Sequence, residues 1–348
     1  MTGAGGWRGV VAEFRDRLEI AGLNNPVSLL EGNTPLLEAP RLSDRVGARV
    51  LLKLEGMNPT GSFKDRGMAA AMTGARHAGA QLAVCASTGN TSASAAAFAA
   101  RAGMGCAVVV PSGAVALGKL AQALAHGAQV LSVEGSFDMA LRLVRQLGEE
   151  PSVAVVNSIN PERIEGQKTA AFEIVDVLGD APDLLCLPVG NAGNITAYWR
   201  GFCQQRQASG SRLPRLLGVQ AAGAAPIVLG QKVDQPETVA TAIRIGDPAS
   251  WAGATAASSE SGGAIVAVSD DQILDLWRWL AREESVFCEP ASAAGVAGLL
   301  QEGAQGAETV VCVITGHGLK DPENAIAHAP PPTPVEPTID AVRRALNL

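Results

Sequence analysis

Short apolar segments alternate with helical segments in the first half of the chain, and this alternation limits the fold more than any other feature. Strands this short and apolar, joined by helices, are typical of a parallel sheet with right-handed crossovers. The sequence therefore predicts an α/β protein. The predicted strands are Leu82–Ala86, Cys106–Val110, Gln129–Val133 and Val153–Val156, and the helices between them are Thr91–Arg101, Ala116–His126 and Phe137–Gly148.

Strands of the same kind lie on both sides of this region, and further helices separate most of them. The first 20 residues predict an amphipathic helix, Trp7–Ile20, that packs on the outside of the main body. With 348 residues the chain is long enough for two packed domains. The other predicted strands are Val50–Glu55, Leu184–Pro188, Leu216–Gln220, Ala264–Val268 and Thr309–Ile314, and the other helices are Asp65–Ala78, one ending at Val177, Ile195–Gln205 and Asp271–Arg282.

Charge and composition exclude several classes of function. The net charge of −7 argues against nucleic-acid binding as the main task. The six cysteines form no C-x-x-C pair and the four histidines show no ligand spacing, so we expect neither a metal site nor a disulfide framework. No signal peptide or membrane-length apolar run is present, and we expect a soluble cytoplasmic protein.

A single lysine follows the turn Asn58–Ser62 and lies at the start of a predicted helix. The positive end of a helix disfavours an ammonium, so Lys64 should lose its proton more easily than an ordinary lysine. A neutral lysine amine is what Schiff-base chemistry with an aldehyde cofactor requires. The alternative is a solvated helix-start lysine paired with Asp65, which the ten residues Asn58–Gly67 alone favour.

Two later loops follow strands and precede helices, where open α/β sheets bind ligands. In Ser87–Ser94 the hydroxyls of Ser87, Thr88 and Thr91 and the backbone N–H groups could hold a carboxylate. An ordinary capped helix start has the same sequence pattern and is the alternative. The turn GNAGN suits a phosphate held by backbone amides. Its residues are Gly190, Asn191, Ala192, Gly193 and Asn194.

Three other side chains have both an ordinary and a functional interpretation. Lys53 suits an edge strand, where a lysine prevents aggregation. Arg163 lies in the first turn of a helix, where a cation is mildly unfavourable, so it is either a surface arginine or faces an anion. Thr315 ends a strand beside two glycines and could contact a flat ring, although such threonines commonly cap a turn.

The segment Lys53–Arg66, K-x-E-x-x-N-P-T-G-S-F-K-D-R, resembles the lysine segment of the fold-type II pyridoxal phosphate (PLP) enzymes. This family includes cysteine synthase, serine and threonine dehydratases and threonine synthase, and its fold resembles that of the tryptophan synthase β chain. Three more segments match in family order: the loop Ser87–Ser94, the GNAGN turn and the segment Thr315–Pro322. The resemblance covers roughly Leu30 to Pro322.

The resemblance implies a role for each candidate residue. Lys64 would carry PLP covalently, Asn90 would contact the phenolic oxygen of PLP, the residues Gly190 to Asn194 would hold the cofactor phosphate, and Thr315 would contact the pyridine nitrogen. The loop with Ser87, Thr88 and Thr91 would hold the substrate carboxylate. A second anion site, for a substrate phosphate, would include Lys53, Asn157, Ser158 and Arg163.

The resemblance also implies an architecture with PLP in a cleft between two domains. The smaller domain would comprise about residues 61–148, and the larger would combine residues 1–60 with 149–348. Parallel-rich twisted sheets flanked by helices would form both.

Within the family, GNAGN and T-G-x-G-L-K-D-P resemble threonine synthase, which implies conversion of O-phospho-L-homoserine and water into L-threonine and phosphate by a homodimeric cytoplasmic lyase. Dehydratases share the lysine motif, but their phosphate turn is normally richer in glycine. A catalytically inactive sensor of an amino-acid phosphate is a further alternative, against which the intact Lys64 and Thr315 argue.

Overall fold

The strands form two sheets, one of six and one of four strands, in the computed structural model, which describes residues 6–112, 117–328 and 331–348. The six-stranded sheet has the order β1-β2-β10-β7-β8-β9, and only the β1–β2 pair is antiparallel. The four-stranded sheet, β5-β4-β3-β6, is parallel throughout. The strands are β1 Leu36–Glu38, β2 Arg49–Leu54, β3 Leu82–Ala86, β4 Gly105–Pro111, β5 Gln129–Val133, β6 Val153–Val155, β7 Leu184–Pro188, β8 Arg215–Ala221, β9 Ala264–Val268 and β10 Thr309–Ile314.

Helices connect the parallel strands, as the alternation predicts. They are α1 Val10–Glu13, α2 Pro40–Val46, α3 Lys64–His77, α4 Asn90–Ala102, α5 Leu117–Ala125, α6 Phe137–Leu147, α7 Pro161–Leu178, α8 Gly193–Ser209, α9 Pro226–Leu229, α10 Trp251–Glu260, α11 Asp270–Glu283, α12 Pro290–Glu302, α13 Pro322–Ala327 and α14 Ile339–Leu346. The predicted first residue of the helix at Ala116 lies outside the described residues. The α/β prediction is confirmed.

The predicted amphipathic helix Trp7–Ile20 is wrong. Helix α1 ends at Glu13, and a short 3-10 turn, Arg15–Arg17, follows it. The backbone leaves the α conformation at Phe14 (φ −108°, ψ 21°), and the guanidinium of Arg17 lies 5.3 Å from the centre of that ring. Val10, Val11, Phe14 and Leu18 are nevertheless buried, so the pattern identified the inward side chains of this segment but not its backbone.

The proposed domain boundary at residue 148 divides the four-stranded sheet. Strand β6 pairs with β3 in that sheet although it lies beyond residue 148. The N-terminal residues Val10 and Phe14 pack in one hydrophobic cluster with Met68 of α3 and Phe98 of α4. The division into residues 61–148 and the remainder stays a prediction, and the sheet favours an end after Val155.

Helices α3 and α7 cross with their backbones in direct contact. A Cβ on Gly166 would lie 2.1 Å from the carbonyl oxygen of Arg66, and a Cβ on Gly67 would lie 2.7 Å from that of Arg163. Only glycine permits such an approach. Lys64 and Arg163 each precede a crossing glycine by three residues, which places them one turn along the helices from the contact. The crossing therefore brings the two cations to the same region.

A buried network of charges lies beside this crossing. The guanidinium of Arg66 donates to Glu55 (Nε–Oε2, 2.7 Å) and to Glu173 (Nη1–Oε1, 2.6 Å), and the Lys53 ammonium donates to Glu173 (2.7 Å). Burial alone would raise the pKa of Glu173, but the charges of Arg66 and Lys53 lower it to about 2. The network joins β2, α3 and α7.

The network corrects the interpretation of Lys53. Strand β2 lies between β1 and β10, so Lys53 is not on an edge strand. Its side chain is 1% exposed, and its ammonium also donates to the carbonyl oxygen of Thr34 (2.8 Å). Lys53 is therefore an internal partner of Glu173.

We expect Glu173→Gln to lower the free energy of unfolding by about 3–5 kcal/mol at neutral pH, because Arg66 and Lys53 would lose the buried charge that compensates them. Chemical denaturation measures the loss. The lowered pKa of Glu173 also implies that its ionised form stabilises the fold. This contribution is fully present above the pKa of the unfolded chain and is lost as the pH falls through about 2. Asp275→Asn, in an exposed pair with Arg278, is the control and should change stability by less than about 1 kcal/mol. Equal effects would contradict the role of the network.

Candidate active site

Three loops meet at the carboxyl end of β10: the turn before α3, the loop after β10 and the segment before α12. Main-chain hydrogen bonds join these loops to one another. The donors and acceptors are Phe63 N–H to Thr315 O (3.0 Å), His317 N–H to Gly61 O (2.9 Å) and Glu289 N–H to Gly316 O (3.1 Å). The side chains at these positions are thus placed by the backbone and do not depend on flexible loop tips.

Lys64 is the first residue of α3, and its ammonium lies 4.0 Å from the centre of the Phe63 ring. The pKa of Lys64 is lowered to about 7, first by burial and then by the positive charge of Arg163, while the charge of Glu289 opposes the shift. The lowered pKa agrees with the expectation from sequence, but its main causes are burial and a neighbouring cation and not the helix dipole from which the sequence predicts it. Near neutral pH a large share of this amine is unprotonated.

The alternative in which Asp65 forms a salt bridge with Lys64 is wrong. Asp65 is buried and accepts hydrogen bonds from the hydroxyl (2.6 Å) and main-chain N–H (2.7 Å) of Thr60 and from the hydroxyl of Ser94 (2.6 Å). These bonds close the turn before Lys64 and attach it to α4.

Arg163 is not a surface arginine. It is 1% exposed, and its Nη1 donates to the carbonyl oxygen of Val156 (3.1 Å). Its Nε has no hydrogen-bond partner among the described residues, and burial lowers the pKa of the guanidinium to about 10. A buried cation with an unused donor, close enough to Lys64 to lower its pKa, is suited to binding an anion.

Side chains of the loop before α7 connect the neighbouring loops. The amide of Asn157 accepts from the N–H and donates to the carbonyl oxygen of Ala86, both at 3.0 Å, at the end of β3. The hydroxyl of Ser158 accepts from the amide of Asn191 at 3.4 Å. The loop thus lies between the loop after β3 and the GNAGN turn.

The GNAGN turn connects β7 to α8. Its left-handed residue is Ala192 (φ 65°), at the N-cap of α8, and neither Gly190 nor Gly193 has a positive φ. Gly190 is required for space, because a Cβ would lie 2.9 Å from the Cα of Ile243. The side-chain nitrogen of Asn194 is buried without a partner among the described residues.

The loop Ser87–Ser94 contains the first residue of α4, Asn90. A Cβ built on Gly89 meets no atom within 4 Å, so the loop borders open space there. The hydroxyl of Ser87 accepts from the N–H of Gly89 (3.2 Å). In the part of the chain that the structure describes, no hydrogen bond engages the hydroxyl of Thr88 or Thr91.

Sequence reasoning missed two residues at the start of α12. The carboxylate of Glu289 accepts from the amide nitrogen of Asn90 (3.0 and 3.2 Å), and the hydroxyl of Ser292 lies 2.9 Å from that of Thr315. Both are buried. The sequence offered one sign of Glu289: a glutamate stands directly before a proline at the start of a helix of small residues. An apolar core does not explain a carboxylate at that position.

The pyridoxal-phosphate dependent enzyme family matches residues 27–316. The chain belongs to this family. It is 59% identical to a threonine synthase of Synechocystis sp. over 93% of this chain and 86% of that protein, and 57% identical to a threonine synthase of Mycobacterium tuberculosis over 95% and 94%. The processed form of threonine deaminase isoform 2 from Solanum lycopersicum shares the fold, with a TM-score of 0.73 at 23% identity over 86% of this chain and 84% of that one.

The arrangement of donors fits PLP. An amine with a pKa of about 7 suits the aldehyde, and the buried side-chain nitrogen of Asn194, which has no partner among the described residues, suits the cofactor phosphate. Among residues 6–112, 117–328 and 331–348 we find neither a cluster that could hold a metal ion nor a helix long and apolar enough to cross a membrane.

The rate at which PLP modifies Lys64 in the apoprotein should rise with a midpoint near pH 7, because only the neutral amine attacks an aldehyde. Borohydride quenching at different pH values, followed by peptide mass spectrometry, measures this rate. In Arg163→Leu the midpoint should move to higher pH, since a cation that opposes the ammonium is removed. Arg343→Leu, on the exposed helix α14, should leave it unchanged. A wild-type midpoint near the ordinary lysine value would contradict the lowered pKa.

Proposed function

We propose that the protein is a threonine synthase, which converts O-phospho-L-homoserine and water into L-threonine and phosphate. The buried Arg163, whose Nε has no partner among the described residues, carries this proposal, because it offers an anion-binding group that does not belong to the turn proposed for the cofactor phosphate. The two curated relatives, which bear this name and align over almost the whole chain, support it.

The proposed PLP site follows the motifs. Lys64 would hold the aldehyde carbon, Asn90 the phenolic oxygen and Thr315 the pyridine nitrogen, and the residues Gly190, Asn191, Ala192, Gly193 and Asn194 would hold the phosphate. When bound, PLP supplies an electron-accepting ring conjugated to the carbon that the substrate amine attacks. The remaining chemistry falls to side chains of the protein.

Lys64 is the proposed base. With its ε-amine free beside the substrate, Lys64 would accept protons from Cα and Cβ and donate them to Cα and Cγ, and a pKa of about 7 allows transfer in both directions near neutral pH. The phosphate would leave from the γ-carbon with the electrons of its C–O bond, and the proton taken from Cβ would be delivered to Cγ. A water molecule would then add its hydroxyl at Cβ, and its remaining proton would go to the released phosphate.

The substrate would be held at both ends. The free hydroxyls of Thr88 and Thr91, with Ser87 and the N–H groups at the start of α4, would bind its carboxylate. At the other end Arg163 would bind the phosphate with its unused Nε–H. Ser158 accepts from Asn191 and keeps its own hydrogen for donation, and the amide of Asn157 has a second N–H.

Lys53 is left out of the substrate site, contrary to the expectation from sequence. Its ammonium is directed to Glu173 and Thr34, so using it for a phosphate would leave the buried Glu173 with less compensation. We assign Lys53 to the stability of the lysine segment.

We also propose that the protein is a cytoplasmic homodimer with PLP between a smaller and a larger domain, as in the family that it resembles. The reaction steps given above do not depend on these features. Gel filtration with light scattering tests the dimer.

Arg163→Leu should reduce kcat/KM for phosphohomoserine roughly ten- to a hundred-fold, since one charge-assisted bond contributes about 1.5–3 kcal/mol. PLP should stay bound, and any slow deamination of L-serine should fall much less, because serine carries no phosphate. Turnover is measured above the pH midpoints of Lys64 in both proteins, so that a shifted pKa does not affect the comparison.

Two further variants serve as controls. Arg163→Lys keeps a cation and should recover part of the activity, although it loses the paired geometry of a guanidinium. Lys53→Met should lower stability and should not discriminate between the two substrates. A proportional loss of both activities in Arg163→Leu would contradict the phosphate site and favour a dehydratase.

A further inference from the structure

We infer that the start of α12 positions both side chains that face the cofactor ring: Glu289 orients the amide of Asn90, and Ser292 orients the hydroxyl of Thr315. The inference rests on the proposed contacts of Asn90 and Thr315 with PLP. Neither Glu289 nor Ser292 belongs to the motifs that suggested the function.

The carboxylate of Glu289 has a site built for it. It is 4% exposed, and its backbone N–H donates to the carbonyl oxygen of Gly316 (3.1 Å). A Cβ on Gly316 would lie 2.5 Å from Oε1 of Glu289, so a glycine at that position provides the space for the carboxylate. Burial raises the pKa of Glu289, and the hydrogen bond from Asn90 and the charges of Lys320 and Lys64 oppose this rise, while Asp321 adds to it.

Glu289 determines which way the amide of Asn90 points. Both carboxylate oxygens of Glu289 accept from the side-chain nitrogen of Asn90, at 3.0 and 3.2 Å, so the carboxylate faces the NH₂ side of the amide. One N–H is used in this way and the second remains for the phenolic oxygen of PLP. Without the carboxylate, the amide could turn and present its carbonyl oxygen, which cannot donate to that oxygen.

Ser292 determines the direction of the Thr315 hydroxyl. The hydroxyl oxygen of Ser292 accepts from the N–H of Gly316 at 3.0 Å, which leaves its hydrogen free. Two acceptors are within reach, the hydroxyl of Thr315 at 2.9 Å and the carbonyl oxygen of Gly316 at 3.3 Å, and the nearer is favoured. Thr315 then accepts from Ser292 and can donate to an unprotonated pyridine nitrogen.

Both contacts share one rigid support. The first turns of α12 are buried, and its glycines pack on the six-stranded sheet: a Cβ on Gly295 would lie 3.2 Å from the Cα of Leu187, and one on Gly298 would lie 2.4 Å from the side chain of Val219. A shift of this helix would therefore change the phenolic oxygen contact and the pyridine contact together.

The experiment follows the visible absorption of the bound cofactor in the holoenzyme as the pH is varied. Glu289→Gln removes the charge but keeps an acceptor for Asn90, whereas Glu289→Ala removes both. A donor to the phenolic oxygen stabilises its anion and lowers the pH midpoint. We expect the midpoint of Glu289→Ala to lie about one pH unit above that of Glu289→Gln, which corresponds to the loss of one hydrogen bond. In an Asn90→Ala background the two variants should have equal midpoints.

Ser292→Ala is tested in the same way. It should change the absorption spectrum of the wild type but not that of Thr315→Val, because Ser292 acts only through Thr315. If Glu289→Ala does not retain the cofactor, Glu289→Asp, which withdraws the carboxylate by one methylene, takes its place and should also raise the midpoint relative to Glu289→Gln.

The outcomes separate the inference from the proposed function. A shift in Asn90→Ala with no difference between Glu289→Ala and Glu289→Gln overturns the role of Glu289 and leaves the cofactor contact intact. A spectrum that Ser292→Ala leaves unchanged, while Thr315→Val alters it, overturns the role of Ser292. No change in either Asn90→Ala or Thr315→Val contradicts both the contacts and the inference.

Discussion

The close crossing of α3 and α7 at Gly67 and Gly166 is the contact on which the proposed site depends. The backbones touch there, and one turn away the same two helices present Lys64 and Arg163. Beside the crossing, Arg66 of α3 and Glu173 of α7 form a buried ion pair that fixes the register of the helices. A slip of either helix would separate the cations and break this pair, so packing and electrostatics require the same arrangement.

Charge balance explains how a lysine remains reactive inside the protein. Lys53 is compensated by Glu173, and Lys320 lies near Glu289 and Asp65, whereas Lys64 has Arg163 as its strongest charged neighbour. Burial lowers the pKa of each of these lysines. Lys64 is distinguished because its largest charged influence is a cation, which favours the neutral amine, whereas the largest charged influence on Lys53 and Lys320 is a carboxylate. Its place at a helix start keeps that amine at a fixed point.

Much of the fold could be predicted from the sequence, because apolar strands and helices alternate with clear boundaries; β3, β5, β7, β9 and β10 have the predicted ends. The prediction for residues 7–20 was wrong, since periodicity shows which side chains are buried but not whether the backbone stays helical. The roles of Lys53 and Glu289 could not be predicted from the sequence. Their roles depend on partners 120 and 199 residues away, Glu173 and Asn90, and no local pattern contains that information.

The central claim is that Lys64, and no other lysine, holds the cofactor. Borohydride reduction of the purified holoenzyme, followed by peptide mass spectrometry, tests it directly, because reduction fixes the cofactor on the lysine that carries it. We predict one pyridoxyl group per chain, on the peptide that contains Lys64, with Lys53 and Lys320 unmodified. A pyridoxyl group on Lys320 or Lys53, or the absence of any adduct together with the absence of a visible absorption band, would contradict the account.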